Sequence, residues 1–80
     1  MPFDVEKFAE QFAKEYDFIY NAEARGATVA GYQEAVDFFD DFAKERGDVV
    51  GAFARYLGDF ISSDREAAAF AFALEALGAI

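Results

Sequence analysis

Ser63-Asp64-Arg65-Glu66-Ala67-Ala68-Ala69-Phe70-Ala71-Phe72-Ala73-Leu74-Glu75-Ala76-Leu77 is the stretch that decides the fold. Ser63 and Glu66 stand three residues apart ahead of an apolar run, in the form of a capping box. In such a box the hydroxyl accepts from an otherwise unpaired N–H of the first helical turn, and the carboxylate reaches back to the cap. A helix over about Asp64–Leu77 follows. Its AAAFAFALEAL segment is apolar almost all round, whereas a surface helix carries one apolar stripe. This helix is therefore either the central one of the domain or part of an oligomer interface.

Working back toward the N-terminus, three more helices can be read from apolar residues at helical spacing. One covers about Val49–Ile61, with Asp48 as cap and a stripe of Val49, Val50, Phe53, Tyr56, Leu57 and Phe60. Gly58 is its weak point, at a cost of roughly 1 kcal/mol against Ala, and the helix can end there. The next covers about Tyr32–Arg46, with a stripe of Tyr32, Ala35, Val36, Phe39, Phe42 and Ala43. Lys44 and Arg46 suit its last turn, and Gly47 stops it. The first helix covers about Val5–Glu23, with Asp4 as N-cap, Glu6 in the first turn and Gly26 as a left-handed C′ residue. Its stripe is Val5, Phe8, Ala9, Phe12, Tyr16, Ile19 and Tyr20. The loop 27–31 offers Thr28 as a cap. Phe18, Phe38 and Phe72 fall off their stripes, so they either widen the core or face a partner as anchors.

No strand alternation and no internal repeat occur. The short loops imply antiparallel or steeply crossed neighbours. The expected architecture is all-α: a compact four-helix bundle with a Phe-rich core, forming a single helical domain over residues 1–80. A chain of 80 residues is marginal, because so small a domain buries only ~60–65% of its unfolded surface. The eleven Phe and four Tyr answer this, since each buried aromatic removes roughly 150–250 Å² from water.

Sixteen acids against seven bases give a net charge of −9. That disfavours direct nucleic-acid binding, which needs a basic footprint, and disfavours anionic membranes. It favours a basic partner, or serves solubility. With no Cys and no His, disulfides, thiolate or imidazole metal sites, thiol catalysis and an imidazole base are all excluded. The start MPFDVEKF has no signal-peptide form, and no apolar run nears the ~18 residues of a membrane span. A cytoplasmic location is expected, in a bacterial host if the chain is phage-encoded. Ser62, Ser63 and Thr28 have no evident base, and neither a P-loop, a GxGxxG motif nor an EF-hand loop is present. The expectation is no enzyme, no catalytic residue, no cofactor and no specific metal site.

The second helix carries the most suggestive constellation. At ~100° per residue Glu34, Asp37, Asp41 and Glu45 lie within about 80° of one another, opposite the Phe stripe. They are about 5.5 Å apart along the axis at ~1.5 Å rise per residue, a loose match to the phosphates of DNA. Asp40 flanks the row, Asp48 extends it, and Phe38 borders it. Residues 32–48 hold six acids and two bases. Such a row either substitutes for phosphates on a Lys/Arg track or is a solvated face. Like charges at i,i+4 spacing cost ~0.2–0.5 kcal/mol each. A second row, Glu6, Glu10 and Asp17, is interleaved with Lys7 and Lys14 and reads as ordinary surface.

An acidic, four-helix chain of this size looks at first like an acyl carrier protein. The Asp-Ser-Leu which that family carries at its second helix is replaced here by AGYQEAV. The segment YQEAVDFFDDFAKERGDVVGAFARYLG, Tyr32 to Gly58, is similar to the acidic helix–Gly–helix segments of ArdA-type antirestriction proteins, which mimic DNA. The whole profile resembles phage or mobile-element anti-CRISPR proteins. The resemblance implies an inhibitor that covers the basic nucleic-acid-binding surface of a bacterial defence complex, using Glu34, Asp37, Phe38, Asp40, Asp41, Glu45 and Asp48. The alternative is a structural or regulatory helical module, antitoxin-like or homo-oligomeric.

Overall fold

The computed structural model describes residues 4–58 and 63–80. It is all-α: helices α1 (Val5–Ala24), α2 (Tyr32–Glu45), α3 (Gly47–Leu57) and α4 (Asp64–Ala76) form a compact four-helix bundle. No strand occurs among the described residues.

The cap read from the sequence starts α4. Ser63 is extended (φ −126°, ψ 158°), and its Oγ accepts from the Glu66 N–H at 3.2 Å. The hydroxyl donates in turn to Glu66 Oε1 at 3.0 Å, so serine and glutamate bind each other's side of the helix end. Asp64 and Glu66 also place negative charge at the positive end of the helix.

Of the two placements open to α4, the structure has the central one. Ala67, Ala68, Ala69, Phe70, Ala71, Ala73 and Leu74 are all buried, and they point in every direction around the axis. α1 packs along one flank and α2 along the other, and among the described residues the backbones of these two do not come close to each other. α3 closes the end against both α1 and α2. Alanines on both flanks of α4 let the neighbouring helices come close, and Phe70 fills the space that is left. Its ring lies 4.7 Å from Phe8, 5.2 Å from Phe39, 5.6 Å from Phe53 and 5.7 Å from Phe42. Phe53 meets Phe8 and Phe12 at 4.9 Å each, edge-on. Edge-to-face contact sets the positive rim of one ring on the negative face of another, worth about 0.5–1.5 kcal/mol beyond area burial. The Cα radius of gyration, 12.0 Å, is near the roughly 12 Å expected for a compact domain of this length.

The ends of α1 follow the sequence. Asp4 Oδ1 accepts from the Lys7 N–H at 3.0 Å. Gly26, at φ 75°, reverses the chain, so that the Ala27 N–H reaches Ala22 O at 2.8 Å and the Gly26 N–H reaches Glu23 O at 3.0 Å. This is the left-handed closure that glycine permits without a Cβ clash.

Several expectations are corrected. Thr28 does not cap α2; Gly31 occupies that position and offers no side-chain bond. Gly47 does not stop α2, and Asp48 does not cap α3. The break is the single residue Arg46 (φ −128°, ψ 49°). Its N–H donates to Phe42 O at 2.7 Å while its carbonyl accepts from Val49 and Val50, so α2 ends and α3 begins on one residue. Gly47 is the first residue of α3, and Asp48 lies in its first turn. α3 ends at Leu57, at the weak point read at Gly58, which takes a left-handed φ of 76°. The Phe60, Ile61 and Ser62 readings lie outside the described residues. Tyr20, Tyr56 and Leu57, read as core, are exposed, and so is Phe18. The off-stripe Phe38 and Phe72 are half-buried and pack on the core.

Candidate protein-interaction surface

Burial of Ala35, Val36 and Phe39 fixes the rotation of α2. That rotation turns Glu34, Asp37, Asp41 and Glu45 out into solvent along one line, with Asp40 exposed on another flank. Gln33 Nε2 donates to Asp37 Oδ1 at 3.0 Å, a contact between neighbouring turns that leaves the charge in place. Lys44 pairs with none of these acids. The salt bridges among the described residues are Arg46–Asp48 and Arg65–Glu23. The row is thus brought together as read, but Asp48 does not simply prolong it. Asp48 sits on α3 beyond the break, and Arg46 grips it through Nε–Oδ1 at 3.1 Å and Nη2–Oδ2 at 3.3 Å. The hydrogen bond from Arg46 holds its carboxyl below the usual aspartate value.

Phe38 borders the row but is no free anchor. Its ring stacks on Phe42, with centroids 6.0 Å apart and planes at 25°. Its outer edge instead lines a cleft of about 420 Å³ between α2 and α4. Ala35 and Ala71 help to floor this cleft, Phe38 and Phe72 wall it, and Glu34 and Glu75 stand at its rim. Sequence reasoning missed the cleft because it depends on α2 lying beside α4. The signal present was the pair of off-stripe rings.

A second cluster was also missed, at the junction of α1, α4 and the start of α2. Arg65 donates to Glu23 Oε2 from Nη2 at 2.7 Å and from Nε at 3.1 Å, and its Nη1 lies 3.5 Å from the Tyr16 hydroxyl. The guanidinium carbon is 5.0 Å from the Tyr20 ring centre and 5.8 Å from that of Tyr16. This cation–π contact explains the outward Tyr20: the ring stays wet on one side and covers a cation on the other. Hydrogen bonding to Tyr16 and Glu23 pushes the Arg65 guanidinium above its ordinary pKa.

Nearby, the Tyr32 phenol is raised above 10.0, first by burial and then by the negative charges of Glu23 and Asp64. The folded chain therefore holds this proton where the unfolded chain releases it. That contribution to stability is complete below pH 10 and fades as pH rises through the folded value. Tyr32→Phe should accordingly flatten the loss of stability on the alkaline side. Urea midpoints followed from roughly pH 9 to 11 would show it, and identical slopes for both proteins would refute it.

Among the described residues no group of three or more acids converges to hold a metal ion, and no helix is long and apolar enough to cross a membrane. No family model, curated protein or solved structure matches the chain.

Proposed function

We propose that this chain is a protein-binding inhibitor whose α2 face occupies a basic, phosphate-binding surface of a bacterial defence complex, either a CRISPR effector or a restriction enzyme. The observation behind this reading is the row Glu34, Asp37, Asp41 and Glu45: exposed, collinear and without an ion-pair partner among the described residues. Such a face keeps its self-repulsion in the free protein and relieves it against a Lys/Arg track that otherwise holds phosphates. Complementary fields also speed encounter, and the attraction weakens with salt. The reading includes no catalytic step, no cofactor, and action in the host cytoplasm of a phage-encoded protein.

The test is capture on the immobilised chain from lysates of bacteria carrying CRISPR or restriction systems, with the bound proteins identified by mass spectrometry. A nucleic-acid-binding effector should be retained at low salt, released at high salt and displaced by DNA. The pair Asp37→Lys and Asp41→Lys adds four charges and takes the net charge from −9 to −5. It should weaken binding at low salt by roughly tenfold or more. Unchanged affinity would remove α2 as the contact.

A second reading, a structural or homo-oligomeric module, draws on the exposed Phe18, Tyr20, Tyr56 and Leu57. α4 adds little to it, because Ala67, Ala68, Ala69, Phe70, Ala71, Ala73 and Leu74 are buried within one chain. Under this reading the chain self-associates and the charge reversals leave that association intact.

A further inference from the structure

We infer that the cleft between α2 and α4 is a docking groove for a basic amphipathic helix of the partner, which seats one large apolar side chain between Phe38 and Phe72. The inference deepens the proposed function and rests on it.

Three features of the cleft define the occupant. Its floor and walls are apolar: Ala35 and Ala71 are small, and the two rings that rise beside them each leave part of their surface uncovered. Its volume, about 420 Å³, is that of sites which hold an organic group rather than a water. The charges on its rim are acidic only, Glu34 and Glu75, set beside the exposed Ala30, Gly31 and Ile80. Among the described residues Glu34 on α2 and Glu75 on α4 are exposed and lack ion-pair partners, and no Lys or Arg lines the cleft. An anion is repelled here, and a neutral apolar group leaves both rim carboxylates uncompensated. A segment with an apolar side chain flanked by cations satisfies floor and rim together.

A helix supplies that pattern on one face, because residues three and four apart are neighbours, and helix-in-groove recognition reads such anchors. Glu34 belongs both to the rim and to the outward row of α2. A helix lying in the groove therefore presents its remaining cations to Asp37 and Asp41, and the groove and the row form one continuous surface. The groove contributes selectivity for an apolar anchor, which the row alone lacks.

The experiment is NMR titration of the full ¹⁵N-labelled chain with two synthetic Lys-rich helical peptides of equal charge. One carries a central Leu and the other Ser at the same place. The Leu peptide should bind roughly tenfold more tightly, the scale expected for burying one such side chain, and should shift the amides of Ala35, Ala71 and Phe72. Glu75→Lys, on an exposed position of α4, should reduce its binding by a similar factor while the thermal melt stays unchanged. Equal affinities for the two peptides, or shifts confined to the outward positions of α2, would overturn the groove. The α2 reading would still stand in that case, provided Asp37→Lys with Asp41→Lys abolishes the common binding. If neither peptide shifts any resonance at about millimolar concentration, the groove fails, and the electrostatic contact fails with it.

Discussion

Phe70→Ala is expected to remove most of the stability of this protein. The Phe70 side chain is fully buried and touches the rings of Phe8, Phe39, Phe42 and Phe53, so it joins α1, α2 and α3 to α4 in one cluster. Truncation forfeits the transfer energy of the ring and leaves a cavity that the surrounding rings cannot fill without losing their own edge-on contacts. Buried Phe→Ala changes cost about 3–5 kcal/mol. A domain of this length has roughly 4–12 kcal/mol in total. The variant should melt about 15 °C lower or more, since each kcal/mol lowers the midpoint of a small domain by ~4–8 °C. Phe18→Ala, at a side chain 57% exposed, is the matched control and should stay within about 0.5 kcal/mol of the parent. Urea titration followed by circular dichroism would measure both. A loss below about 1.5 kcal/mol for Phe70→Ala would mean that the ring cluster does not hold the helices together.

Ala69→Leu is expected to destabilise for the opposite reason. Ala69 is wholly inaccessible on a helix flanked on both sides, and the closeness of α1 and α2 to α4 depends on its small residues. Three added carbons must displace a neighbouring helix or force a strained rotamer, at a typical cost of 1–3 kcal/mol. Helix propensity does not account for the loss, since Ala and Leu are both good helix formers. Ala76→Leu, at the exposed end of the same helix, isolates the packing effect and should be nearly neutral. Comparison of the two urea midpoints decides the matter. A more stable Ala69→Leu protein would reveal a void beside α4.

The features legible in the sequence are those carried by local chemistry and period. Ser63 and Glu66 announced the start of α4, Asp4 and Gly26 bounded α1, and the lack of a polar face on 67–77 narrowed α4 to the centre of the domain or an oligomer interface. The acidic row was legible because it needs only the helical repeat and the inward turn of Ala35, Val36 and Phe39. The features that escaped depend on contacts between distant residues. Tyr20 lies on the apolar stripe of α1 but faces outward, because Arg65, far along the chain, offers its ring a cation. Asp48 looked like the next member of the row, yet a break at Arg46 carries it onto α3 and supplies its counter-ion. Glycine at 47 suggested a stop, but the chain turns one residue earlier with no left-handed residue at all. The cleft could not be read from either helix alone, because each contributes one wall.

The position of α4 has a consequence for how the chain comes into being. A polypeptide made from its N-terminus completes α1, α2 and α3 before the helix they surround exists. Among the described residues the backbones of α1 and α2 do not come close to each other. Until α4 arrives, Phe8, Phe39, Phe42 and Phe53 lack the ring of Phe70, on which they converge. Contacts between α1 and α4 also span most of the chain, which delays folding relative to bundles assembled from sequence neighbours. Immature chains with exposed aromatic surface tend to aggregate. Here each carries the same excess of negative charge, much of it on α2, and chains of like charge keep apart while they wait for their centre.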